Sequence, residues 1–261
     1  MTKSPFTLNM HDYIHRPEGK LIFNREMFAH IASKYDFITR VLSFGRDTSW
    51  KNKLVDDLEN VARASSPCKH GQDGRATSPN YLDIACGTGD LTFRLAAKYP
   101  QGRIVALDIT EQMLDLARSR NKFSNITFAI GDMCRIDFPD DSFDIVTAGY
   151  ALRNAPDLQL ALKEIRRIMK PGATAAILDF SKSPSRFFQK TEDFLLRFWG
   201  GFWGILLHRN PQLYTYIAAS LKQFPDSVAL KQLITRLGFV NLRSQKHFLG
   251  FTETIVFQKP Y

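Results

Sequence analysis

Asp83, Gly87, Gly89 and Asp108 stand at spacings from which a nucleoside cradle can be built. The stretch Leu82-Asp83-Ile84-Ala85-Cys86-Gly87-Thr88-Gly89-Asp90 closes an apolar run and opens an amphipathic one. Gly87 and Gly89 permit a tight turn and let a ligand approach the backbone without a Cβ in the way. The helix start that follows offers free N–H groups to an anionic or polar ligand. About 20 residues further on, the next apolar run ends in Asp108, where a carboxylate can accept from two ribose hydroxyls.

The same pair of features serves dinucleotide enzymes, so the glycine loop alone decides nothing. Two details separate the alternatives. Asp83 lies four residues before Gly87, where an acid can hold the ammonium of a methionine moiety but would repel a pyrophosphate. The third dinucleotide glycine is missing, its place taken by Thr92. The pattern points to S-adenosyl-L-methionine, with a nicotinamide dinucleotide as the alternative. Gly131-Asp132-Met133 follows the third strand candidate. There an acid can take the adenine amine while Met133 packs on the ring; the alternative is an ordinary turn with a solvated Asp.

These residues need a scaffold, and the sequence supplies one. Tyr81–Ala85, Arg103–Leu107, Asn125–Ile130, Phe143–Thr147 and Ala173–Asp179 read as strands. Asp90–Lys98, Thr110–Arg120 and Asp157–Met169 read as the helices between them, the last stopped by Lys170-Pro171-Gly172. Such alternation implies an α/β fold with a parallel sheet covered on both faces. A helix over Ser227–Leu237 leads to two final strands, about Val240–Phe248 and Thr252–Gln258, which should pair antiparallel through a turn near Gly250.

Upstream, residues 1–25 read as a loose arm. One helix is predicted over about Arg25 to Phe44 and a second over about Thr48 to Val61. Ala64 to Asn80 is dense in Ser, Pro, Gly and charge and reads as an exposed loop. Residues 26–261 thus form one domain, with a helical cover drawn from 26–62 and 183–223. The segment Phe187 to Tyr216 is crowded with Phe, Leu, Trp and Tyr. Gly200, Gly201 and Gly204 suggest that it bends; it is either a lid over an apolar tunnel, a bilayer contact, or core beneath a helical cap.

The bulk numbers exclude several classes. With 44% hydrophobic and 23% charged residues over 261 positions, the chain is an ordinary globular one. Its longest apolar stretch, Phe198 to Leu207, is half of what a bilayer span requires. The first 25 residues carry Asp12 and Glu18 and no continuous apolar run, which argues against a signal peptide. Cys68, Cys86 and Cys134 make neither a disulfide framework nor a metal spacing; no metal is expected, and a reducing compartment is the simpler assumption. The net charge is +9, and from Lys182 onward eleven Lys and Arg face four Asp and Glu. Such a basic third suits anionic lipid headgroups or nucleic acid, or else solvated helix faces. No element of the Asn/Asp-Pro-Pro-Tyr/Phe kind points to a nucleic acid. The six His share no catalytic spacing.

In detail, Ala32-Ser33-Lys34-Tyr35-Asp36, Ser43-Phe44-Gly45, Trp50-Lys51, Gly87 through Thr92, Leu152-Arg153-Asn154, Lys170-Pro171-Gly172 and Asp179-Phe180-Ser181-Lys182 resemble the ubiquinone/menaquinone C-methyltransferase family of class I methyltransferases. The resemblance runs from about Phe28 to about Phe239. It implies a Rossmann-like, seven-stranded, mostly parallel sheet with a helical lid, S-adenosyl-L-methionine as cofactor, and methylation of a ring carbon on a prenylated quinol. Asp83, Gly87, Thr88, Gly89, Asp108, Ile109, Asp132, Met133 and the backbone of Gly149 would then bind the cofactor. Arg153 would stabilise a developing phenolate, since its guanidinium is always charged. Asn154 would orient the ring or a proton-accepting water. Departures fall on the substrate side: Phe37-Ile38-Thr39 follows Tyr35-Asp36 where the family has x-Met-Asn, and Asp179 replaces its Glu. Another apolar or aromatic substrate, or a catalytically silent partner in a complex, are the competing readings. A cytoplasmic protein is expected, peripheral to an inner membrane (its matrix face in a mitochondrion), with a homodimer allowed.

Overall fold

The computed structural model describes residues 6–65 and 78–261. Its strands are β1 (Asn80–Ile84), β2 (Arg103–Asp108), β3 (Ile126–Ile130), β4 (Phe143–Gly149), β5 (Met169–Phe180), β6 (Val240–His247) and β7 (Thr252–Gln258). They form one seven-stranded sheet in the order β3-β2-β1-β4-β5-β7-β6. The first five are parallel, while β7 runs antiparallel to both β5 and β6. The chain order reverses between β1 and β4, which opens a crevice at the carboxyl ends of these strands. Both expected features are present: parallel central strands, and a final antiparallel pair.

Helices cover both faces because alternate strand residues are apolar. Leu82, Val146 and Ile177 meet Leu162 and Ile165 of α7 (Leu158–Ile168) and Leu230 and Ile234 of α10 (Ser227–Arg236). Their neighbours Tyr81, Ile145 and Leu178 point the other way, onto Trp50, Leu54 and Leu58 of α4 (Asp47–Ser65) and Leu91 and Leu95 of α5 (Asp90–Lys98). α6 (Glu111–Arg120) seals the β2 side through Leu114. Side-chain caps mark the helix starts: Asp157 accepts from the Leu160 N–H, and Asp226 from those of Val228 and Ala229.

The N-terminal region departs from expectation. Where residues 1–25 read as a loose arm, the described part holds α1 (Met10–Tyr13) and α2 (Pro17–Ile31), the latter opened by Pro17. Met10, Ile14 and Phe23 bury themselves against Leu213 and Tyr216 of α9 (Gln212–Gln223), which is what holds the arm down. The helix predicted from Arg25 to Phe44 is broken by a 3₁₀ turn at Ala32–Lys34, after which α3 (Tyr35–Leu42) begins. Most of the loop read over Ala64 to Asn80 lies outside the described residues, as does Cys68.

α8 (Arg186–His208) is one continuous helix of 23 residues, not a bent segment. Its glycines serve close packing. A Cβ on Gly200 would stand 2.8 Å from the Tyr214 carbonyl oxygen, and one on Gly204 2.6 Å from that of Asn210. The missing side chains let α9 pack directly on the α8 backbone. No helix among the described residues is long and apolar enough to cross a membrane.

Candidate active site

At the crevice between β1, β2 and β4 the chain forms a narrow cleft walled by Gly87, Asp108, Ile109, Asp132, Met133 and Gly149. All six were predicted for the cofactor. Asp108 accepts from the Gly87 N–H with Oδ2 and from the Thr110 N–H with Oδ1, each at 2.8 Å. Each oxygen keeps a lone pair for a hydroxyl partner. Burial pushes its carboxyl above the usual range, and these backbone bonds work against that rise. Gly87 has φ +57°, and a Cβ there would meet only Tyr35, at 3.9 Å. A side chain at 87 would therefore fill the gap between the loop and the Tyr35 ring. One at 149 would likewise come into contact with Leu91, at 3.6 Å. A cradle left clear of side chains, with an acid on each side, fits an adenosyl group.

Three predicted cofactor residues lie elsewhere. Asp83 points into the sheet, because it pairs in register with Thr147 on β4 and sits beneath Thr92 of α5. Thr92 and Thr147 donate their hydroxyls to its two oxygens at 2.6 and 2.8 Å. At 1% exposure it does not wall the cleft, and its two oxygens are held by these hydroxyls at the base of the loop. Burial, partly offset by those hydroxyls, raises its carboxyl to about 6. Thr88 turns to a polar cavity on the other side of the loop and donates to Asp36 Oδ1 at 2.5 Å. Arg120 holds the other oxygen of Asp36. Gly89 caps α5 at φ +87° and is closed off by the Phe93 ring, 2.7 Å from where a Cβ would be.

Beside the cleft lies an apolar cavity of about 480 Å³, between α2, α3, α8, α9 and the ends of β4 and β5. Arg153 is the one charged residue on its wall. It belongs to the 3₁₀ turn Leu152–Asn154 that follows β4, and it is 6% exposed. Its Nη1 donates to Asn154 Oδ1 at 2.9 Å and to Ser220 Oγ at 3.2 Å. Its Nε lies 3.4 Å from Asp179 Oδ1, and the guanidinium covers the Phe180 ring at 4.9 Å. That Nε is buried and makes no hydrogen bond among the described residues. Asn154 faces the cofactor side instead, and its amide donates to the Tyr150 carbonyl at 2.9 Å. With both ends of that amide engaged, Asn154 positions Arg153 and the turn; the structure does not bring it to the apolar cavity.

Phe28, Tyr35 and Tyr150 wall both spaces, so the cleft and the cavity meet at these rings. The sequence reading assigned none of the three to the site, although Tyr35 lay within a quoted motif. Tyr150 takes φ +56°, a left-handed conformation that aims its ring between the two spaces. Burial raises the hydroxyls of Tyr35 and Tyr150, so both stay neutral donors. Lys20 and Asn24 of α2 were missed as well, since that stretch read as a loose arm. Their spacing of four residues, polar on a face otherwise occupied by Phe23 and Met27, was the available signal. Lys20 Nζ donates to the carbonyls of Arg153 and Ala155 at 2.9 and 2.8 Å, and Asn24 to that of Asn154 at 2.8 Å.

The sequence and the fold are similar to those of known proteins. The profile of the ubiE/COQ5 methyltransferase family matches residues 18–257. A demethylmenaquinone methyltransferase of Lactococcus lactis is 32% identical over 227 residues, covering 85% of this chain and 84% of its own. One from Staphylococcus aureus is 30% identical over 219 residues, covering 83% and 85%. Among solved structures, a methyltransferase of Haloferax volcanii, in complex with the Trm112 methyltransferase activator, superposes with a TM-score of 0.61. It has 18% identity and the match covers 90% of this chain and 98% of that one, a likeness of fold. The chain is an S-adenosylmethionine-dependent methyltransferase and belongs to the ubiE/COQ5 methyltransferase family.

Proposed function

We propose that this chain methylates a ring carbon of a prenylated quinol, the substrate class named in its demethylmenaquinone methyltransferase relatives. One observation carries the reading: an apolar cavity of about 480 Å³ with a single cation, Arg153, abutting the cofactor cleft at Phe28, Tyr35 and Tyr150. Its size is that of a small-molecule site, and its wall suits an isoprenoid-bearing ring. Bound S-adenosylmethionine supplies a sulfonium methyl group. The chain must hold the quinol ring against that cleft, exclude water and favour the phenolate, whose charge enriches the ring carbon. Arg153, the one charged residue on the cavity wall among the described residues, is suited to a phenolate oxygen. The ring carbon would gain the methyl as the sulfonium C–S bond breaks, leaving S-adenosylhomocysteine, and the carbon's own proton would pass to solvent at the cavity mouth as the ring regains aromaticity.

A tailed quinol comes from a bilayer. α8 presents Phe187, Phe194, Phe198 and Phe202 to the outside, all 50% exposed or more. Phe198, with exposed Phe44 and Leu249, also walls the cavity, so the apolar stripe and the cavity mouth share one surface. We read α8 as lying against a bilayer, with Lys190 and Arg197 flanking the stripe toward anionic headgroups.

The test is methyl transfer from labelled S-adenosylmethionine to a reduced demethylmenaquinone and to a prenylated benzoquinol in mild detergent. Label on a ring carbon, located by NMR of the product, supports the reading. Label on oxygen, or transfer only to untailed phenols, overturns it.

A further inference from the structure

We infer that Lys20 and Asn24 are positioning residues for Arg153, tying the aim of its guanidinium to the seating of α2 over the cofactor cleft. The inference rests on the proposed role of Arg153 in the reaction.

The turn that carries Arg153 is short and poorly self-satisfied. Its N–H groups find main-chain partners, Asn154 on Ala151 and Ala155 on Leu152. The carbonyls of Arg153, Asn154 and Ala155 do not, and all three residues are less than 9% exposed. A buried carbonyl without a donor is costly. α2 supplies every missing donor, from two side chains one helical turn apart. The same helix sends Leu21, Asn24 and Phe28 to the wall of the cofactor cleft, and Met27, Phe28 and Ile31 to the wall of the apolar cavity. A single element thus touches both ligand spaces and grips the backbone of the one cation between them. If α2 lifts, the turn loses three hydrogen bonds at once, and Arg153 is released from its register beside Asp179.

Lys20 is an unusual choice for an apolar place. It is 9% exposed, and burial, reinforced by the positive charge of Arg153, lowers its ammonium to about 8. The titratable groups that face it are Arg153 on the turn, Asp179 at the end of β5 and Cys134 beyond β3. A charged donor holds a carbonyl about twice as strongly as a neutral one. The grip should therefore weaken as pH rises through about 8. A carbonyl clamp serving the fold alone would cost stability when lost but leave the pH course of turnover untouched.

The experiment measures kcat from about pH 6.5 to about 9.5, together with S-adenosylmethionine affinity by calorimetry. It compares the full-length protein with its Lys20→Arg, Lys20→Met, Asn24→Leu and Arg153→Ala variants. Lys20→Met should lower kcat about tenfold or more while changing cofactor affinity less than about threefold. The ratio of wild-type to Lys20→Arg turnover should fall above about pH 8, because arginine stays charged there. If Lys20→Met does not fold, the kcat of Asn24→Leu and the pH course of the Lys20→Arg ratio carry the test, because Asn24 itself walls the cofactor cleft. Equal losses of kcat and affinity, or a ratio flat across pH, overturn the inference. Should Arg153→Ala retain full turnover, it is the proposed role of Arg153 that fails, whatever the Lys20 variants do.

Discussion

Arg153 and Asp179 form a buried ion pair, with side chains 6% and 5% exposed and Nε 3.4 Å from Oδ1. The Arg153 backbone N–H also donates to Asp179 Oδ2 at 3.1 Å, so the acid grips both main chain and side chain. Burial raises the Asp179 carboxyl and the neighbouring guanidinium opposes that rise. The acid holds Arg153 in place against the cavity.

Arg153→Ala should lower turnover by about 10² or more, the loss of one donor to a developing anion, while S-adenosylmethionine binding by calorimetry persists. It should also destabilise the fold by roughly 3–5 kcal/mol, because Asp179 is left as an unpaired buried charge. Pairing it with Asp179→Asn should restore most of the melting temperature but not the turnover. Recovery of turnover in the double variant would exclude a chemical role for Arg153.

Asp83 gives a pH signature. Its carboxyl stands at about 6 in the fold against 3.8 when exposed, so the folded chain holds the extra proton between those values. Its stabilising effect is full below about pH 3.8 and is lost as pH rises through about 6. Asp83→Asn carries no such titration. The stability difference between wild type and Asp83→Asn, from urea unfolding, should shift against the wild type by up to roughly 3 kcal/mol from pH 4 to pH 7. A constant difference across that range would refute the burial argument.

Two neighbouring glycines of α8 should respond in opposite directions. Gly201→Ala gains helix propensity of about 1 kcal/mol, since its Cβ meets only Thr215 Cγ2 at 3.5 Å. Gly204→Ala drives a methyl to 2.6 Å from the Asn210 carbonyl and 2.8 Å from Pro211 Cα, at a cost of roughly 1–3 kcal/mol. Thermal unfolding of the two variants should bracket the parent; a rise in both would mean that α8 and α9 are not packed as described.

The exposed stripe predicts lipid binding. Phe187 and Phe194, 73% and 68% exposed, do not wall the cavity. Replacing both by Ser should reduce flotation with phosphatidylglycerol vesicles by about tenfold or more, given the area that two rings bury. Turnover of a short-tailed, water-soluble quinol should stay unchanged. Equal flotation would leave α8 without a role at the bilayer.

The central sheet was legible because its strands and helices repeat at distinct periods and carry their own stop signals. Asp90–Lys98 is a helix over the same residues in sequence and structure, between a glycine loop and the start of the next strand. Asp108 and Asp132, singled out at or just after strand ends, stand together at the cleft for the same reason. The place of Asp83 was not legible, because a strand acid can face a ligand or the neighbouring strand, and its partner Thr147 becomes visible only with the register. Arg153 was legible as a lone motif cation, but not its partner Lys20, which meets it across 133 positions of chain. Contacts at such range leave no period in the sequence. Gly200 and Gly204 misled because a glycine that permits a bend and one that permits close approach look the same until the facing helix is known.

β7 occupies an interior slot, between β5 and β6. Along it Thr252 and Glu253 lie opposite Phe180 and Asp179, the ring beneath Arg153 and its counter-ion. The seat of Asp179 beside Arg153 is therefore braced by a strand more than seventy positions further along the chain, and a substitution that unseats β7 would reach the cation without touching either ligand space.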